Sequence, residues 1–367
     1  MRLYVHWPFC VSRCAYCDFN ARTAGSRTVS AYAASLRREL TLWSAMLPRD
    51  GGLRSLYLGG GTPSTMRGDE VADLIAFCRR LFPLREGAEV TVEVNPATWK
   101  ERDFAAALEG GVNRVSIGVQ SLRDCILLLL GRAHDARDAA AAVRAAGRAG
   151  FRNISLDLMF GLPLECGHRL GRDLEAALRL RPQHVSLYAL EVSARSRLGR
   201  AVMRGELHLP EDDRVADEYR EGARTLKLAG YERYEISNFC LPGHECRHNL
   251  AYWRREAYLG AGAGAHSLLG GWRFHNLESV LSYNRSLRED RMPVAGGSRL
   301  TERDARSERI MLGLRTSRGV PAALLAGAKA LSDLERYGLV RREGSRISLT
   351  ERGMLLSNPV IAEVLPA

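Results

Sequence analysis

Hydrophobic and polar residues alternate in a regular way along the first two hundred positions. Short β-rich runs occur at LYVHW (3–7), SLYLGG (55–60), EVTVEVN (89–95), NRVSIGV (113–119), NISLDLMFG (153–161) and HVSLYAL (184–190). Helical stretches separate them: TVSAYAASLRRELTLWSAML, DEVADLIAFCRRLF, ERDFAAALEGG, ARDAAAAVRAAGRAG and HRLGRDLEAALRL. Several end in Gly, as helix C-termini often do. Strand–helix alternation predicts βα units around a parallel sheet. Six such units predict an α/β fold, a partial (β/α)6 barrel open on one side.

In barrels, chemistry sits at the C-terminal ends of the strands. The polar and glycine-rich signals fall there. Cys10 follows the first strand, GGGTP (59–63) the second, Glu93 and Asn95 end the third, Gln120 follows the fourth, and Asp157 lies within the fifth.

From about Leu209 the rhythm changes. PEDDRVADEYREGARTLKLAGYERYEISNFC predicts a long helix and a return strand. PGHECRHNLAYWRREAYLGAGAGAHS, rich in Gly, His and aromatics, is expected to be mostly loop. After Thr301, TERDARSERIMLGL predicts a helix. SDLERYGLVRREGSRISLTERGMLLS then predicts helix, short hairpin and helix, a winged-helix-like α+β pattern. The expected division is a barrel over 1–208, an extension over 209–300 and a C-terminal domain over 301–367.

Composition changes this picture in two ways. The net charge of +11 invites a nucleic-acid reading, but only Lys100, Lys227 and Lys329 are lysines and the other basic residues are arginines. They are spread along the chain beside acids, as on solvated helix faces. No nucleic-acid partner is expected, and the C-terminal segment reads as a packing or lid domain. No apolar run of spanning length and no secretory leader precede the first motif, so the expected location is cytoplasmic, where thiols stay reduced.

The eight cysteines are irregularly spaced, which does not suit a disulfide framework. Three of them, Cys10, Cys14 and Cys17, form Cys-x3-Cys-x2-Cys on a segment that follows a strand and Pro8. The same spacing would align on a helix face, but a loop is the better reading. A structural zinc site wants four ligands, and no fourth Cys or His lies nearby. Three thiolates can instead hold three irons of a [4Fe–4S] cluster and leave the fourth open.

This signature, with Tyr16 before the last cysteine, resembles the radical S-adenosylmethionine superfamily. There the methionine moiety chelates the open iron, and one electron from the cluster cleaves the sulfonium to give a 5′-deoxyadenosyl radical. YVHWPFC, GGGTP, EVNP, VSIGVQS, GRAH and LDLMFGLP, in that order, resemble the coproporphyrinogen-oxidase-like family over nearly the whole chain. Matching its motifs places Tyr4, Tyr16, Gly60, Gly61, Thr62, Glu93, Gln120, Arg132 and Asp157 at S-adenosylmethionine contacts. Carboxylates suit ribose hydroxyls, Arg and Gln suit a carboxylate, and an aromatic suits adenine.

Two features separate the branches of that family. Its oxidase branch has a further cysteine where this chain has Phe19. CRHNLAYW (246–253) resembles the HN-x-x-YW motif of the HemW-like heme-chaperone branch. That resemblance implies heme binding and delivery to heme-acceptor proteins such as respiratory enzymes, with His248 as the axial ligand. An electron donor of the flavodoxin type and a homodimer are further expectations. The alternative is an oxygen-independent coproporphyrinogen III oxidase. On residue chemistry alone, Cys240, His244, Cys246 and His248 are also a candidate zinc cluster, and His266 a second candidate imidazole. EVSARSRLGR and LECGH depart from the family pattern on the side expected to face substrate.

Overall fold

The computed structural model describes residues 1–48 and 51–366. Six strands form the parallel heart of the sheet: β1 (Arg2–Trp7), β2 (Leu53–Gly60), β3 (Leu84–Val94), β4 (Arg114–Gln120), β5 (Ile154–Phe160) and β6 (His184–Ala189). Each of the first five is followed by a covering helix. These are α1 (Ser26–Met46), α2 (Gly68–Leu81), α3 (Glu101–Glu109), α5 (Ala136–Ala149) and α6 (Leu170–Arg179), with the short α4 (Asp124–Leu129) between β4 and α5.

Strand parity explains the layers. Outward positions are aliphatic: Leu56 and Leu58, Val90 and Val92, Val115 and Ile117, Leu156 and Leu158 are buried beneath the helices. Burying each is worth about 1.5–3 kcal/mol. Inward positions alternate with them and are polar or aromatic, which leaves a polar barrel interior. Helix ends follow local chemistry. Asp135 caps α5 by accepting from the Asp138 N–H, and Gly150, at φ +108°, ends it.

Beyond β6 come α7 (Arg197–Met203), α8 (Asp212–Leu228), β7 (Glu232–Arg233) and β8 (Asn238–Cys240). The stretch expected to be loop is instead ordered. It holds α9 (Arg247–Trp253), β9 (Tyr258–Ala261) and β10 (His266–Leu269). β9 lies parallel to β1, from Arg2 opposite Tyr258 to Val5 opposite Ala261. Gly260 and the glycines just after the strand hid it, and Gly260 is required by close packing: a Cβ there would lie 2.1 Å from the carbonyl oxygen of His266. β11 (Trp272–Asn276), α10 (Val280–Arg288) and β12 (Val294–Arg299) complete this edge.

The twelve strands run in the order β12-β11-β10-β9-β1-β2-β3-β4-β5-β6-β8-β7. β12 and β7 are the two ends of the sheet, so the barrel is open. Strands of the 209–300 segment thus continue the barrel sheet on both edges.

The C-terminal residues form a second core. α11 (Glu302–Gly313), α12 (Leu331–Arg336), α13 (Glu351–Leu355) and α14 (Ser357–Val364) pack with a small sheet ordered β13 (Val320–Pro321), β15 (Arg346–Leu349), β14 (Val340–Glu343). Ile310, Leu314, Ile347, Met354 and Ile361 are buried at its centre. This is the expected helix–hairpin–helix pattern. Among the described residues, no helix is long and apolar enough to cross a membrane.

Candidate cofactor site at the C-terminal rim of the barrel

The cysteine segment leaves β1 and is tied down at several points. The Cys10 N–H donates to the Arg22 carbonyl and the Ala15 N–H to the Leu130 carbonyl, at 2.9 and 2.8 Å. Gly61 and Thr62 N–H groups donate to the carbonyls of Trp7 and Phe9 at 2.7 and 2.9 Å. The glycine-rich turn after β2 is therefore laced to the cysteine loop by backbone bonds.

All three thiols are half-buried and free. Thr62 Oγ1 donates toward Cys10 Sγ at 3.4 Å, and Arg132 Nη1 donates to Cys14 Sγ at 3.3 Å. Burial pushes the Cys10 and Cys17 thiols up, and the Thr62 contact opposes this at Cys10. Among the described residues, no group of three or more His, Cys, Asp or Glu side chains converges as a single metal ion requires.

Two glycines shape the turn. Gly60 has φ +119°, and a Cβ there would lie 2.6 Å from the His6 ring. A Cβ on Gly61 would lie 3.0 Å from Cys10 Sγ. The backbone can approach a bound group closely only without those carbons.

The carboxylates and their partners sit beside this turn. Glu93 accepts from the Gly60 N–H at 3.0 Å and from the Tyr57 hydroxyl at 2.8 Å. Burial raises Glu93 to about 7, and the neighbouring Asp157 adds to the rise. Asp157 is also raised by burial, against donation from Ser186 and Ser116. Gln120 holds φ +66°, unusual outside glycine, and accepts from the Tyr188 hydroxyl. Arg132 also donates from Nη2 to the Gly118 carbonyl at 2.8 Å, while its buried Nε has no partner. Tyr16 lies beside Arg132 and Cys14; burial raises its phenol. Tyr4 is deeper, paired with His6 Nδ1 at 3.0 Å.

Gly60, Gly61, Thr62, Glu93, Gln120, Arg132, Asp157 and the three cysteines thus share one end of the barrel. Sequence reasoning missed Tyr57, Tyr188, Ser116 and His6, which hold those groups. Their signal was parity: each occupies an inward position of its strand.

His248 is elsewhere. Glu89, buried at the other end of the barrel, accepts the first N–H groups of α9, from Arg247 and His248, both at 2.9 Å. This seats α9 as a plug against the start of β2. The His248 ring is 1% exposed, with Nδ1 at 2.8 Å from Ser55 Oγ and Nε2 at 2.9 Å from the Tyr252 hydroxyl. Burial lowers it to about 3. The axial-ligand role that the resemblance implies for His248 needs a free ring nitrogen, and in this arrangement both already have partners. Cys240 and Cys246 are buried with Tyr57 and Tyr234, and burial raises both thiols to about 12.

Residues 4–177 match the Radical SAM superfamily model, and residues 300–356 match the HemN C-terminal domain model. The chain is 40% identical to the heme chaperone HemW of Mycobacterium tuberculosis (strain ATCC 25618 / H37Rv), over 99% of this chain and 94% of that one. It belongs to the HemW family of radical SAM proteins. The heme chaperone HemW of Bacillus subtilis (strain 168) is 35% identical over 99% of this chain and 98% of its own. The structure of coproporphyrinogen III oxidase (HemN) from Escherichia coli superposes with a TM-score of 0.85, covering 99% of this chain and 89% of that one at 22% identity. That likeness is one of fold.

Radical SAM membership implies a [4Fe–4S] cluster and S-adenosylmethionine. The rim fits both. It offers three half-exposed thiols with donors on two of them, a glycine cradle that a Cβ would fill, and an unpartnered buried nitrogen on Arg132.

Proposed function

We propose that this chain is a heme chaperone that holds heme, a [4Fe–4S] cluster and S-adenosylmethionine, and passes heme to acceptor proteins such as respiratory enzymes. The observation that carries this reading is the full-length likeness to relatives named as heme chaperones, at 35 and 40% identity. Phe19 supports it. It stands where the oxidase branch carries an extra cysteine, and its side chain is 69% exposed.

Cys10, Cys14 and Cys17 would each hold one iron. When bound, the cluster supplies an open iron position and one electron, delivered by a flavodoxin-type donor. The chain's own residues do the positioning. Arg132 and Thr62 place hydrogen-bond donors on two sulfurs. Gly60, Gly61 and Thr62 line the turn that would face the methionine amino group. Arg132 and Gln120 suit its carboxylate, Glu93 and Asp157 the ribose hydroxyls, and Tyr16 and Tyr4 the adenine. Tyr57 and the Gly60 N–H fix the Glu93 carboxyl before any ligand arrives, so little ordering is left to be done on binding.

The test is an anaerobic heme titration of the cluster-reconstituted protein at the Soret band, followed by mixing with a heme-free acceptor. Saturable one-to-one binding and transfer are expected, with no decarboxylation of coproporphyrinogen in the presence of S-adenosylmethionine. Decarboxylation without heme binding would replace this reading with the oxidase.

A further inference from the structure

Two further thiols face each other outside the cluster loop. Cys125, in the first turn of α4, is exposed. Cys166 ends a short 3-10 turn, Leu164–Cys166, after β5 and is half-buried. The Cys166 thiol donates to the Cys125 carbonyl at 3.4 Å, and the Cys125 thiol points back at the Cys166 carbonyl at 4.0 Å. The two sulfurs are themselves hydrogen-bond neighbours. Side chains crossed in this way bring their Cβ atoms close together, which is what a disulfide requires.

The segments that carry the pair are pinned by contacts that do not involve sulfur. Arg123 Nη1 donates to the Gly167 carbonyl at 2.7 Å. Ser121 Oγ and the Leu122 N–H donate to the Asp173 carboxylate at 2.6 and 3.1 Å, and His168 Nε2 lies 3.1 Å from the same carboxylate. The thiols are thus held opposite each other in advance, and groups placed in that way react as one molecule rather than two. LECGH (164–168), which departs from the family pattern, supplies one half of the pair. The two environments also differ. Cys125 is the accessible sulfur. Partial burial and then the Cys125 thiol raise Cys166, with the Arg123 guanidinium working against the rise.

We propose that Cys125 and Cys166 form a reversible dithiol–disulfide site, oxidised by exchange with a small-molecule disulfide. The Cys125 thiolate attacks one sulfur of that disulfide, whose S–S bond breaks, and one thiol leaves. The Cys166 sulfur then attacks Cys125 Sγ in the mixed disulfide, and the second thiol leaves. The two protein sulfurs give up two electrons in all, the small disulfide is reduced to two thiols, and the two protein S–H protons end on them.

The bond fastens the support of the cluster loop. The Leu130 carbonyl at the end of α4 accepts from the Ala15 N–H at 2.8 Å, between Cys14 and Cys17. Ile126 and Leu130 pack with Ala15 in one small core, which Tyr16 and Cys166 border. Tying α4 to the Cys166 turn restrains the segment on which the loop rests, so the oxidised form holds the loop more tightly. This effect rests on the cluster assignment above and not on the heme-chaperone reading.

The experiment equilibrates the full-length, cluster-loaded protein, without oxygen, in glutathione buffers of increasing disulfide fraction, then alkylates it and digests it with trypsin. Wild type is expected to yield peptides 124–132 and 153–169 linked to each other, reversibly and with one two-electron midpoint. Cys166→Ser is expected to lose that species and to carry glutathione on Cys125. Cys125→Ser is expected to keep a free thiol at Cys166. Wild type with no linked peptide at the most oxidising ratio, whether it carries glutathione on Cys125 or free thiols at both positions, overturns the site. Amide exchange at Ala15 and loss of iron to a chelator are then compared between oxidised and reduced wild type. Both are expected to slow severalfold on oxidation. A linked peptide with both rates unchanged overturns the hold on the cluster loop. Heme enters none of these readouts, so either failure leaves the chaperone reading standing.

Discussion

The guanidinium of Arg132 donates to the sulfur of Cys14 across 3.3 Å, joining the turn after α4 to the cysteine loop. A cationic donor on a cluster sulfur favours the reduced, more negative state. Arg132→Met is therefore expected to retain iron and sulfide and to shift the midpoint potential downward by tens of millivolts. Arg132→Lys, which keeps the charge but loses the fork, should fall between. A redox titration followed by electron paramagnetic resonance checks this. An unchanged midpoint in Arg132→Met would mean the contact has no electrostatic weight.

Gly60 is the position where the turn is least tolerant. A side chain there meets both a left-handed φ of +119° and the His6 ring at 2.6 Å. Gly60→Ala is expected to cost about 1–3 kcal/mol and to weaken S-adenosylmethionine binding, because the N–H that orders Glu93 moves with the backbone. Gly147 gives the opposite sign. It lies inside α5 with nothing within 4 Å of its would-be Cβ, so Gly147→Ala should stabilise by about 0.5–1 kcal/mol. Thermal unfolding of the two variants side by side tests both signs.

The barrel was legible because its signals are local. Strand parity and helical spacing repeat over six units, and each strand end carries its own polar marker. The rim site was legible for the same reason, since Cys10, Gly60, Glu93 and Gln120 mark successive strand ends. What could not be read was long-range pairing. β9 carries Gly260 because β10 crowds it there, and with Gly262 and Gly264 just beyond, the stretch resembles loop until β1 is known to lie beside it. The placement of His248 depends on Glu89, 159 residues away in sequence, and no local signal links them. A motif spacing names the helix, but it does not say which face turns inward.

His248 should behave as a buried neutral imidazole. Its native pKa is lowered to about 3 by burial, against an ordinary 6.5 in the unfolded chain. Between these values the unfolded chain binds the extra proton, so stability is lost as pH falls from about 6.5 toward 3. From pH 6.5 to 5 the loss from this residue is about 2 kcal/mol. Glu39 and Glu93, raised to about 7 by burial, act in the opposite sense, with stability lost as pH rises through about 7. They are common to wild type and His248→Asn, so the difference between the two isolates the histidine. Unfolding free energies from urea titrations of the two proteins should differ between pH 7.5 and 5 by that amount. Parallel curves would mean that His248 is protonated or solvated in the native protein.

Glu308 fastens the C-terminal domain to the barrel. Its carboxylate, on α11, meets Arg255 Nε just after α9 and Arg273 Nη1 on β11, each at 2.6 Å. The Arg255 contact is largely shielded from water, so it is worth more than a surface pair, although exposure of Arg273 discounts the second. The remaining ties include the Ser317 N–H donating to the Tyr234 carbonyl at 3.0 Å. Glu308→Gln keeps the shape and removes the charge. It is expected to cost roughly 1–3 kcal/mol, to speed amide exchange in α11, and to expose the 300–309 segment to trypsin. The barrel core does not depend on this contact, so amide protection in β2 to β5 should hold. If Glu308→Gln left amide exchange in α11 unchanged, the two ion pairs would carry no weight in holding the domain to the barrel.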